Sequence, residues 1–139
     1  MKVTRVAHIA VASAKMDKMK TLFGDLLGAP LVREARFVSG TEMAMYHLGN
    51  IEIEVLHNPS PTSLPGRFLQ EKGEGYFHIC LEVEDLQSAL IELLAKGVKP
   101  LADSPNNGST GTPVVFLDPT TTSGLLLELK QDQSKKSEK

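Results

Sequence analysis

The chain has one cysteine, Cys80, so no disulfide can close within it, and this scarcity fits a reducing compartment. It has no excess of positive charge. Fifteen Lys and Arg stand against 17 Asp and Glu, giving a formal net charge of -2. That balance argues against nucleic acid or an anionic membrane surface as the main partner. No run approaches the ~18 apolar residues of a membrane span. The opening "MKVTRVAHIAV" enters strand patterning directly, without the apolar stretch of a signal peptide. Together these absences predict a soluble, cytoplasmic protein. With 139 residues, 41% of them hydrophobic, the chain can bury one real core. The polar end, 133–139, predicts a disordered tail.

What is present is a duplication. "HIAVASAKMDKMKTLFGDLLGAPL" (8–31) and "HICLEVEDLQSALIELLAKGVKPL" (78–101) share one order of features. Each starts with a histidine in a short strand and continues through a helix. Each helix stops at a glycine, Gly28 or Gly97, suited to a left-handed C′ position, before a second strand near Leu31 or Leu101. Ser13 and Asp85 are the expected N-caps. The segments 44–57, turning at Gly49-Asn50, and 113–130, turning between Asp118 and Gly124, read as hairpins. The spacing predicts one domain over 1–132, of modules at about 4–58 and 74–131. They are joined by a Pro/Gly-rich connector, 59–73, with one helical turn around Leu64 to Lys72. The loop 103–112 is a candidate lid.

Side chains alternate across a strand. Ile9 and Val11 oppose His8, Ala10 and Ala12; Ile53 and Val55 oppose Glu52 and Glu54. Ile79, Leu81 and Val83 oppose His78, Cys80 and Glu82; Leu127 and Leu129 oppose Glu128. One face suits a helix cover. The other holds histidines and glutamates, and any one of these taken alone reads as a solvated or structural residue. The repetition changes that reading, because His8 and His78 stand 70 residues apart and Glu54 and Glu128 stand 74 apart. If the equivalent faces meet, two imidazoles and two carboxylates make a site for a divalent ion such as Zn, Ni, Co, Mn or Fe. His47 and His57 read as surface residues, and Cys80 as a small buried hydrophobe.

Two βαβββ modules, each with one His and one Glu, resemble the vicinal oxygen chelate (glyoxalase) superfamily. Its methylmalonyl-CoA epimerase branch is the most similar, over residues 5–131. The segments that carry this are "HIAV", "LFGDLLGA", "HLGNIEIEVLHNPSP", "FLQEKGEGYFHICLEVEDL", "LLAKGV" and "GTPVVFLDPTTTSGLLLEL". The resemblance implies an α+β fold of two pseudo-symmetric modules forming a cupped mixed sheet, and a homodimer. It implies metal ligands at His8, Glu54, His78 and Glu128, a divalent ion (Co, Ni, Zn or Mn), and an acyl-CoA thioester as substrate. The implied reaction is epimerisation through a metal-stabilised enolate, with Glu128 moving the proton; Glu42, four residues beyond Val38 with the same strand parity, is the candidate to replace the branch's second base if the register there differs.

The chain departs from the branch's pattern at four places. Val38 aligns with a glutamate, Phe77 with a histidine, Thr110 with the histidine of a Gly-Ala-His-Gly loop, and Asp118 with the histidine of His-Pro-Lys. The last change puts an acid and a neutral Thr120 where coenzyme A phosphates would need cations. The alternatives are a lactoylglutathione lyase-type enzyme of the glyoxalase I kind, a metal-free binding protein that sequesters an antibiotic, and an iron-dependent ring-cleaving dioxygenase. The additional Glu54 speaks against the last of these.

Overall fold

A computed structural model describes residues 1–102, 104 and 107–134. Its described residues divide into two compact units: His8–Phe77, and Met1–Ala7 together with the chain from His78 onward.

In the unit His8–Phe77, four strands lie in the order β2-β3-β4-β1. They are β1 (Val3–Ala12, of which His8–Ala12 falls here), β2 (Leu31–Arg36), β3 (Glu42–Leu48) and β4 (Ile51–His57). β3 and β4 form the expected hairpin, with Leu48 opposite Ile51 and Gly49 at φ 64 in the two-residue turn. β1 runs parallel to β4. Val11, Ala44, Tyr46, Ile53 and Val55 make one apolar face and pack with Met16 and Phe23 of the crossing helix. That helix is α for only five residues (α1, Met16–Lys20) and continues as a π-helix over Thr21–Leu26. The wide turn is closed by Leu27 N–H donating to the Leu22 carbonyl at 3.0 Å. Gly28, at φ 67, then reverses the chain.

In the other unit, β5 (Gly75–Val83, from His78 on), β7 (Leu127–Gln131) and β6 (Val114–Phe116) lie side by side in that order. The start of β1 lies along β5, with Glu84 N–H donating to the Lys2 carbonyl at 3.0 Å. β5 is parallel to β7, as β1 is to β4. α3 (Leu86–Ala95) covers Val83, Leu117 and Leu129 through Leu86 and Ala89. Asp85 caps α3 as expected, its carboxylate accepting from Ser88 N–H at 3.0 Å.

The structure corrects several local expectations. Ser13 is not a helix N-cap. Its N–H donates to the Leu56 carbonyl at 2.8 Å, which holds it to β4, and the helix begins only at Met16 with no side-chain cap. The connector holds a full nine-residue helix, α2 (Leu64–Lys72), capped by Ser63 Oγ on Gly66 N–H at 3.0 Å. The second strand expected near Leu101 is reduced to a single bridge, Pro100 to Leu117, because a proline has no N–H with which to continue a ladder. Of the candidate lid, 103, 105 and 106 lie outside the described residues. Asn107 bridges to Pro113, and Gly108 N–H donates to Thr112, so this part is a tight turn. Residues 135–139 of the expected tail also lie outside the described residues. No helix among the described residues is long and apolar enough to cross a membrane.

Gly66 gives a test whose sign is diagnostic. Helix propensity alone favours alanine by about 1 kcal/mol. A Cβ there would sit 1.8 Å from the Ser60 carbonyl oxygen, a backbone atom. Gly66→Ala is therefore expected to destabilise by about 1–3 kcal/mol in urea unfolding; a stabilised variant would contradict this packing.

Candidate functional site

Strand register builds the same arrangement in each unit. In the unit His8–Phe77, Ala10 lies opposite Glu54 across the parallel β1–β4 pair. His8, two residues before Ala10, shares its face. Nε2 of His8 is 3.5 Å from Oε1 of Glu54, and both residues are buried. In the other unit, Cys80 lies opposite Glu128 across β5–β7, and His78 precedes Cys80 by two. Nε2 of His78 is 3.2 Å from Oε1 of Glu128, again with both residues buried. Phe116, opposite Glu128 on β6, meets the His78 ring edge-on at 4.9 Å between centroids. This aromatic wall fixes the imidazole plane.

The distances bear on what the pairs can hold. A charge-assisted N–H···O bond is about 2.7–2.9 Å long, shorter than either pair. Two donors each ~2.1 Å from one ion, at angles between square and tetrahedral, stand roughly 3.0–3.4 Å apart. Both pairs are close to that spacing. The donor chemistry fits as well, since imidazole nitrogen and carboxylate oxygen suit borderline divalent ions.

Glu82 is differently employed: its carboxylate accepts from Arg5 Nε at 2.7 Å. Cys80 is fully buried. His47 is exposed, while His57 sets Nδ1 2.8 Å from the Ser13 carbonyl. Asp118 caps the short 3-10 turn Pro119–Thr121. Its carboxyl is held below the usual range, first by the backbone hydrogen bond from Thr120 and then by the Thr120 hydroxyl.

Glu42 does not join Glu54. It opens β3 opposite His57, on the face of Ala44 and Tyr46, and its carboxylate accepts from Arg36 Nη2 at 2.7 Å. The expectation carried parity forward from Val38. That residue is fully exposed in the turn closed by Gly40 N–H to Phe37 O, and alternation does not survive the turn. On β3 the Glu54 face holds Met43 and Met45, both buried, and then His47, which is exposed opposite Glu52. Sequence reading missed this apolar floor and the Phe116 wall. The two-residue turn at Gly49-Asn50 was the available signal, because it sets Met45 opposite Glu54.

With the geometry in view, comparison with known proteins is direct. Residues 7–116 match the family model described as Glyoxalase/Bleomycin resistance protein/Dioxygenase superfamily. The mitochondrial methylmalonyl-CoA epimerase of Mus musculus is 34% identical over 132 residues, covering 94% of this chain and 74% of that one. The ethylmalonyl-CoA/methylmalonyl-CoA epimerase of Cereibacter sphaeroides is 32% identical, covering 91% and 97%. The solved structure of a Streptomyces coelicolor methylmalonyl-CoA epimerase variant in complex with 2-nitronate-propionyl-CoA superposes with TM-score 0.84. It is 25% identical, with 96% and 97% of the two chains covered. The chain belongs to the glyoxalase superfamily, with its α+β fold and mixed sheet. Within it, the chain is a member of the methylmalonyl-CoA epimerase family of enzymes.

The placement of Glu42 yields a prediction. An exposed ion pair is worth about 0–1 kcal/mol, so Glu42→Gln is expected to change unfolding stability by no more than that. Because Glu42 lies on the opposite face from Glu54, turnover by this variant should stay within about twofold of wild type, well under one kcal/mol in barrier. A loss of a hundredfold would return Glu42 to the catalytic set.

Proposed function

We propose that the chain is a divalent-metal-dependent epimerase acting on methylmalonyl-CoA or a closely related 2-substituted acyl thioester. The two modules act as one domain, and His8, Glu54, His78 and Glu128 hold a single ion, one of Co, Ni, Zn or Mn. The observation that carries this reading is the pair of His–Glu spacings, 3.5 and 3.2 Å, repeated at equivalent register positions. The epimerase relatives supply the substrate class. When bound, the ion acts as a Lewis acid towards the thioester oxygen, where negative charge develops as the α proton leaves.

The protein's own groups carry the remaining work. The Glu128 carboxylate takes the α proton from one face; the other epimer forms when a water molecule protonates the opposite face of the enolate and Glu128 passes its proton to solvent. Phe116 holds the His78 ring against rotation. Met43 and Met45 give the Glu54 face an apolar floor for the substrate's methyl-bearing carbon, and they supply no second base there. The account includes a homodimer. Its support is the exposure of the apolar side chains of Val3, Val6 and Ile79 on the strands.

Those same methionines favour one competing reading. A single carboxylate that carries a proton between two adjacent carbons is the work of a lactoylglutathione lyase-type site. Incubating the cobalt-loaded protein with one epimer of methylmalonyl-CoA in deuterated water separates the two. The expected result is interconversion of epimers with deuterium at the α carbon, and Glu128→Ala should lower the rate by at least about a hundredfold. Turnover of a methylglyoxal–glutathione hemithioacetal in its place would establish the lyase. Activity on neither substrate would sink both.

A further inference from the structure

The edge strand of the His8–Phe77 unit carries a cation on the face of Glu54. Register lines up four residues across this sheet: Ala10 lies opposite Glu54, Glu54 opposite Met45, and Met45 opposite Arg33 of β2. Residues directly opposite on neighbouring strands share a face. Arg33, half-buried, is therefore on the Glu54 side, two strand spacings or about 10 Å beyond that residue. The neighbouring row of Ala12, Leu56, Met43 and Ala35 is wholly apolar.

A β-bulge puts Arg33 there. Leu31 lies opposite Tyr46, and an unbroken antiparallel register from that pair would set Val32 against Met45 and Arg33 against Ala44, on the helix-covered face. The register instead shifts between Leu31 and Arg33, which turns Arg33 to the Glu54 side. Its neighbours show the same sense. Glu34, opposite Ala44, reaches Lys20 of the crossing helix at 2.8 Å. Arg36, on the same side as Glu34, bonds the Glu42 carboxylate at 2.7 Å. Bulges at a sheet edge often re-aim a side chain beside a site.

A guanidinium recognises phosphate or carboxylate through paired hydrogen bonds. Position separates the two. The substrate's own carboxylate is attached to the α carbon, which the proposed site holds beside Glu54, whereas Arg33 stands at the edge of the sheet. Between them lies buried Met45, a flexible apolar surface suited to an uncharged pantetheine arm. Asp118 and Thr120 supply no cation where the epimerase branch carries His and Lys, so the phosphates need one from elsewhere. We propose that Arg33 anchors a phosphate of the substrate's coenzyme A, with the pantetheine arm laid across Met45. This rests on the acyl-CoA reading above and adds the residue that recognises the carrier.

Calorimetric titration of the full chain with propionyl-CoA and with propionyl-pantetheine tests this apart from turnover, because neither probe carries the malonyl carboxylate. Arg33→Gln is expected to weaken propionyl-CoA by at least about tenfold, the range of a charge-assisted contact, and to leave propionyl-pantetheine within about twofold. Arg33→Lys should recover part of the loss, since it keeps the charge and loses the paired geometry. Arg36→Gln removes the same charge from the opposite face and should leave propionyl-CoA affinity within about twofold. In turnover, Arg33→Gln should raise KM for methylmalonyl-CoA while kcat stays within about twofold. Equal weakening of both probes, unchanged propionyl-CoA affinity in Arg33→Gln, an equal loss in Arg36→Gln, or no propionyl-CoA binding by the wild type would each overturn the assignment. The expected binding pattern without epimerisation of methylmalonyl-CoA would overturn the epimerase reading and leave Arg33 as the phosphate anchor.

Discussion

The fold's chemistry depends on one constraint: in each unit the first strand pairs in parallel with the last. That pairing sets Ala10 against Glu54 and Cys80 against Glu128, so the histidine two residues upstream reaches each carboxylate. A parallel pair cannot be closed by a tight turn and requires a long crossover. The helix between the strands is therefore a consequence of the site's geometry as much as a cover for the core. Burying a carboxylate costs several kcal/mol unless a partner repays it. The histidine at 3.2–3.5 Å offsets part of that cost, and in the proposed site a cation would offset more.

Much of this was readable in the chain itself. Alternation along 51–56 and 78–83 separated the helix-covered residues from the His and Glu face, and Ile53, Val55, Val83 and Leu129 are in the cores. Repetition was what lifted four ordinary-looking polar residues out of the background. Gly28, Gly49 and Gly97 hold the positive φ values that their positions called for.

What could not be read has physical reasons. The π-helical turn depends on an i to i+5 hydrogen bond, which leaves no periodic mark distinct from an α-helix. The missing strand near Leu101 turned on Pro100, and the displaced helix start on a tertiary bond from Ser13 to Leu56. Glu42 was misplaced because parity was carried across a turn. Local propensity reports what an element prefers, and it is silent on the tertiary bonds that override it.

The central proposal is that both His–Glu pairs serve one ion. Metal analysis after cobalt loading and dialysis tests it most directly, with the wild type compared against His8→Ala and His78→Ala. The account predicts one ion per chain in the wild type, released to the dialysis buffer by either substitution. Bound ion at a thousandfold over its dissociation constant should add about 4 kcal/mol of stability, and both variants should lose that increment. Two ions per chain, or one retained undiminished after either histidine is removed, would contradict the account.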